Sequence, residues 1–260
     1  MPLNKIICIS VLFYLLLFSV RSYAEINTVS EAINKAGQQR MLSQRVVATY
    51  CQLGLDIQAK KSKGQLRRAI KKFDENLLEL NEYKSNEKVN KQLQIVADAW
   101  QPVKKIALAP VHKDKAEELR ALAENVLSES HKMVVILQDE SNLKEIALVN
   151  IAGRQRMLSQ RLSSLYMLQS WGFSRAEYAS DYILSIDEFS VALSELNKST
   201  VNTAEIKSML KAAKKQFAML RKSLQQKNGV YIPLMVKMSA DKLLLIMDEI
   251  THKYEKLLAG

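Results

Sequence analysis

Two stretches of this chain carry the residue types of an anion site, and they are nearly the same stretch. Residues 34–45 read NKAGQQRMLSQR, and residues 150–161, 116 positions later, read NIAGRQRMLSQR. Ten of the twelve positions are identical, with Lys35/Ile151 and Gln38/Arg154 the exceptions. Each string holds two arginines at matching places, Arg40 and Arg45 in the first and Arg156 and Arg161 in the second. A guanidinium presents a planar fork of donors that matches a planar oxyanion or carboxylate, and it keeps its charge at physiological pH. The other use of such arginines is to pair with acids on neighbouring helices or to reach solvent along their alkyl stems. The two halves have diverged far more outside the strings, so within this one sequence the motif has tolerated less change than its surroundings.

Projected as a helix at about 100° per residue, the first string places Gly37, Met41, Gln44 and Arg45 on one face with Arg40 at its edge. Gly153, Arg156, Met157, Gln160 and Arg161 repeat the arrangement. A glycine inside a helix costs ~1 kcal/mol relative to alanine. The usual return is close approach of another backbone, or an open main chain beside a ligand.

The elements that must position these side chains are helices. Apolar residues recur at spacings of three and four, as in Phe73, Leu77, Leu80 and in Leu243, Leu244, Met247, Ile250, and no sustained alternating run suggests a sheet. Turn chemistry and polar clusters predict breaks at Lys61–Gly64, Lys84–Asn86, Ala109–Asp114, Trp171–Ser174, Lys198–Asn202 and Asn228-Gly229, which gives seven or eight helices. Pro233 suits the first turn of the last helix, and Pro102 is expected to kink or end its own. At an offset of 116, Phe73, Leu77, Leu80 and Asn81 fall on Phe189, Leu193, Leu196 and Asn197. With one inserted residue, Trp100 falls on Phe217 and Leu127 on Leu244. The expected fold is therefore all-α: two tandem four-helix bundle units of antiparallel helices, residues 25–141 and 142–260. No Gly or Pro separates Glu140 from Ile146, so one continuous helix is expected to join them.

Residues 1–24 form a segment of their own. Lys5, the uncharged run IICISVLFYLLLFSV and small residues at Ser22 and Ala24 make a signal peptide with cleavage before Glu25, and export to the periplasm follows. An uncleaved N-terminal membrane anchor facing the periplasm is the alternative. Loss of Lys5 and Arg21 takes the formal charge from +11 to +9, which suits anionic ligands or partners, and export argues against nucleic acid. Cys8 leaves with the signal, so Cys51 has no intrachain partner and reads as a small buried residue. The three histidines show no metal-ligand spacing, and no phosphate loop or nucleophile elbow is present, so neither a metal, a cofactor nor catalysis is expected. Met41, Met157, Met219, Met235, Met238 and Met247 read as core filler at helical spacing.

The pattern Asn-x-Ala-Gly-x-x-Arg-Met-x-Ser-x-Arg resembles the signature of the periplasmic sensor domain shared by nitrate/nitrite (NarX-like) sensor kinases and PilJ-type chemotaxis transducers of type IV pili, the PilJ form most closely. The resemblance implies a four-helix bundle in which the first motif arginine from each of two first helices holds an anion between them. Carried over, it makes Arg40 and Arg156 the anion-holding pair and gives Gly37 and Gly153 the close approach. Arg45 and Arg161 become supporting charges. One chain would then supply both halves of a site that relatives build from two, unless the halves meet across a homodimer. The implied partner is a membrane-bound sensor kinase or transducer, because a second span and a signalling module are not expected in this chain. The competing reading is a structural or adaptor module whose arginines serve helix packing or partner binding.

Overall fold

The computed structural model describes residues 25–83, 86–141, 144–225 and 230–259; the expected signal peptide and the expected break at Asn228-Gly229 lie outside them. Eight α-helices run through these residues, and none of the described residues forms a strand. They are α1 (Val29–Gly54), α2 (Ala59–Glu82), α3 (Glu87–Leu108), α4 (Ala116–Asp139), α5 (Ala147–Ser170), α6 (Ala176–Lys198), α7 (Ala204–Leu224) and α8 (Pro233–Leu257). Helix α1 begins where the sequence supplies a capping box: Thr28 Oγ1 accepts from the Glu31 amide, and the Glu31 carboxylate accepts from the Thr28 amide. Asn86 and Thr203 cap α3 and α7 in the same way with their side-chain oxygens, and Pro233 opens α8.

Three expected boundaries differ. The chain does not break at Lys61–Gly64, which lies inside α2. It turns instead at Leu55–Gln58, where Asp56 and Gln58 take left-handed φ values of 55° and 46°, and Ser62 ties the new helix down by donating to the Ile57 carbonyl. Helix α3 continues through Pro102 to Leu108. Pro102 and Asp98, whose carbonyl loses its partner, both lie on the exposed face, where water can serve that carbonyl. Finally, α4 and α5 are separate helices. Helix α4 ends at Asp139, and a short 3-10 turn, Lys144–Ile146, leads into α5. The chain must reverse here because α5 runs parallel to α1 and antiparallel to α4.

That arrangement follows from which side chains meet. Asn76 of α2 donates to Gln38 near the start of α1, while Ser62 donates to Gln52 near its end, so α1 and α2 are antiparallel. Trp100 donates to Asp74, and Gln92 donates to the Glu129 carbonyl, which continues the up-down order through α3 and α4. Helices α5 to α8 repeat the order. The repeat register read from the sequence is visible in the two cores, where Phe73 stacks on Trp100 at 3.9 Å and Phe189 stacks on Phe217 at 4.0 Å. The two bundles meet along α1 and α5. Asn34 touches Arg156, Arg40 touches Asn150, and Arg45 touches Gln160, so the two motif helices lie side by side and parallel about a local twofold axis. Helices α8 and α4 flank this pair.

Both motif helices are buried nearly all round, which is why their apolar stripe looks weak in the sequence. Met41, Met157 and Met247 are core residues, but Met219, Met235 and Met238 are about half exposed and do not fill the core. They sit on the outer faces of α7 and α8, where helical spacing recurs as regularly as it does inside. Cys51 is buried and free, and its burial pushes the thiol well above the usual range. Removing one ring of a buried stack leaves a void on a rigid bundle wall: Phe73→Ala and Phe189→Ala should each cost about 3–5 kcal/mol of stability, read as a shifted midpoint in urea unfolding.

Candidate functional site

The axis between α1 and α5 is occupied by charge. Arg40 and Arg156 are among the most deeply buried large side chains of the described residues, at 1% and 0% exposure. Each guanidinium lies over both motif glycines. A Cβ on Gly37 would stand 3.2 Å from Arg40 Nη2 and 3.6 Å from Arg156 Nη2, and a Cβ on Gly153 would meet the same two atoms at 3.6 and 3.2 Å. The room made by the glycines is thus filled by guanidinium.

Each arginine reaches across the axis. Arg156 Nη2 donates to the Asn34 side-chain oxygen at 2.7 Å and to its carbonyl at 3.4 Å; Arg40 Nη2 donates to the Asn150 carbonyl at 3.4 Å. The asparagines are held from behind, Asn34 by donating to the Glu255 carboxylate and Asn150 by donating to Gln138 at 2.8 Å. Asn34 and Asn150 open the repeated string, so the signal for them was in the sequence, although the arginines drew attention first.

The outer sides of the two arginines differ. Arg156 Nη1 donates to Asp248 of α8 at 2.6 Å. In the equivalent place Arg40 Nη1 meets His131 of α4 at 3.3 Å, where the neutral ring accepts through Nδ1. Positions 131 and 248 fall on each other in the register that aligns Leu127 with Leu244, so the pairing was available from the repeat, but not that it faces the site. Arg40 has no acidic partner among the described residues. Burial, then Arg156, then Arg154 push its guanidinium down to about 9, still charged at neutral pH. His131 is held below the usual imidazole value by burial and by the same cationic neighbours, Arg40 and Arg154, against a weaker pull from Glu188.

Arg45 and Arg161 stand one turn further along and are paired. Arg45 meets Asp241 at 3.3 Å, and Arg161 meets Glu124 at 3.1 Å and Asp181 at 3.4 Å. These are the helix-to-helix ion pairs that the structural reading of the motif anticipated. Gln39 and Gln155, identical in both strings, are fully buried with neither amide atom hydrogen-bonded, and the Nε atoms of Arg40 and Arg156 are likewise unpartnered. Inside a protein such groups are costly to leave so.

The family described as "PilJ: Type IV pili methyl-accepting chemotaxis transducer N-term" matches residues 23–126 and 140–232, and each segment contains one copy of the arginine string. The chain belongs to the PilJ family. It therefore shares the sensory region of a class of chemotaxis signalling proteins, and the family is not an enzymatic one. Comparison with curated proteins and with solved structures finds no match. Among the described residues no helix is long and apolar enough to cross a membrane.

In this PilJ-family chain the axial charges oppose folding. Replacing a buried ion without a countercharge by an apolar side chain of similar volume should stabilise the protein, so Arg40→Met should raise the unfolding free energy by about 1–3 kcal/mol in urea titration. His131 gives a second expectation. Because the folded protein resists protonating it, the unfolded chain, with a histidine near ~6.5, binds that proton first. Stability present above this pH is lost as pH falls from about 7 toward 5. His131→Gln should lose less stability over that interval than the parent, measured by urea midpoints at both ends.

Proposed function

We propose that this protein is a periplasmic, non-enzymatic sensor, exported through residues 1–24, that binds a small planar anion between Arg40 and Arg156. Residues 25–141 and 142–260 each contribute one half of the site. The observation that carries this reading is a pair of buried guanidinium groups facing the same two glycines, with one half-exposed carboxylate between them and the solvent. An anion of the nitrate or nitrite kind, or a small carboxylate, would offset both the burial that does most to push the Arg40 guanidinium down and the repulsion from Arg156 that adds to it. Gly37 and Gly153 leave the guanidinium groups room to converge, and Arg45 and Arg161 fix the motif helices against α8 and α4.

Signalling would follow from differential affinity. A ligand that binds the state with α1 and α5 close shifts the population toward that state, and one indifferent to the spacing shifts nothing. The state would be read by a membrane-bound sensor kinase or chemotaxis transducer. A structural or adaptor role is favoured by a different observation, the ion pairs that join Arg45 and Arg161 to acids on neighbouring helices.

The test is a thermal-shift series on residues 25–260 with nitrate, nitrite, phosphate, sulfate and small carboxylates at constant ionic strength. At a hundredfold excess over Kd, a site ligand should raise Tm by about 5–10 °C. The double variant Arg40→Ala, Arg156→Ala should lose that rise. Equal, small shifts for every anion in both proteins would leave the packing role standing instead.

A further inference from the structure

The carboxylate that touches Arg156, Asp248, lines a cleft open to solvent. Between α1, α2 and α8 lies a cavity of about 420 Å³ with Met41, Leu42, Leu244 and Leu245 on its walls and Asp248 among its lining residues. Lys61 and Arg68 also line it, and neither has an ion-pair partner among the described residues. Asp241 contributes a second carboxylate to the lining, but that one is neutralised by Arg45 and by Lys237 at 3.0 Å. Asp248 is different. Its side chain is 53% exposed while the guanidinium it touches is fully buried, so it reaches inward from the cleft to Arg156 Nη1.

We infer, resting on the reading of Arg40 and Arg156 as an anion site, that Asp248 is a built-in competitor for the ligand and that the ligand class is a small monocarboxylate with an aliphatic tail. The protein itself shows a carboxylate on a short alkyl stem docked on Arg156 from this cleft. A free carboxylate approaching by the same route would take the place of Asp248 on Arg156 Nη1. Asp248, half in water already, would swing outward at little cost. The tail would lie along Met41, Leu244 and Leu245, where removing apolar surface from water adds affinity with each methylene. A bare inorganic anion gains nothing from those walls. The cationic rim would draw the carboxylate in, and its effect would weaken with salt. The site is one-sided, because the position equivalent to Asp248 on the other half is His131, which carries no carboxylate to displace.

Calorimetric titration of residues 25–260 and of its Asp248→Asn variant with nitrate, acetate, butyrate and hexanoate tests this. The expected result is about tenfold tighter carboxylate binding in the variant, since a charge-assisted contact no longer has to be broken. Affinity should also rise from acetate to butyrate in both proteins. Because Asp248→Asn uncovers a buried charge, its ligand-free Tm should fall even as its ligand-induced Tm rise grows, which a purely structural carboxylate would not produce. Carboxylate affinity unchanged or weakened in the variant, or no gain with chain length, overturns the inference. Nitrate binding without carboxylate binding overturns it too but leaves the anion site intact. If no anion binds either protein, the anion reading itself fails.

Discussion

Two like charges buried at one axis are the constraint around which this protein is arranged. Arg40 and Arg156 cannot be placed side by side away from water unless something else draws them there, and that is the extensive packing of α1 against α5 and of both against their own bundles. The glycines leave room in which the two guanidinium groups lie over both motif helices. Asn34 and Asn150 then fix each group by accepting from the guanidinium that crosses the axis, so each half holds the arginine of the other. Linking the halves in one chain makes that exchange intramolecular, and the local concentration of each half at the other is high whatever the concentration of protein.

Duplication within one chain also frees the halves to differ. A twofold dimer of identical chains must present the same groups on both sides of its axis. Here Asp248 stands against Arg156 where His131 stands against Arg40. The buried Lys237 bonds Gln65 at 2.5 Å where Arg120 pairs with Asp181. Asp248 and Lys237 lie on α8, and His131 and Arg120 on α4, the helices that flank the axis, while Gln65 and Asp181 lie on α2 and α6. The electrostatics of the site has therefore been tuned from the flanking helices and, on the motif helices themselves, by Arg154 in place of Gln38, which acts on both Arg40 and His131, while the motif arginines have stayed the same in both copies. One side is covered by an acid and the other is left cationic, which gives the axis a direction that the fold lacks.

Much of this was legible in the amino-acid order. Helical periodicity gave the all-α class, and the offset laid Phe73 on Phe189 and Trp100 on Phe217, positions whose rings turn out to stack within each of the two cores. Pro233 and the polar clusters at Lys84–Asn86 and Lys198–Asn202 marked helix starts, because turn chemistry is decided by a few adjacent residues. Local chemistry misled where tertiary packing overrode it. The polar run Lys61–Gly64 reads as a loop until Ser62 and Gln65 are found buried in α2, and Pro102 reads as a stop until its face is found exposed. The link between α4 and α5 has no breaker residue, yet the chain turns there because α5 must lie parallel to α1.

The site divides along the same line. The amino-acid order alone marks Arg40, Arg156, Gly37 and Gly153 as a repeated set, since duplication is written in the letters and helical geometry puts them on related faces. It took the packing of whole helices to bring the two sets together within one chain, to put guanidinium groups in the space over the glycines, and to satisfy Arg45 with Asp241 and Arg161 with Glu124 and Asp181. It also brought His131 and Asp248 to the axis from helices about 90 residues away in sequence. The physical reason is range. Capping and periodicity act over a few residues, whereas the partner of a buried charge is whichever side chain the packing of distant helices delivers to it.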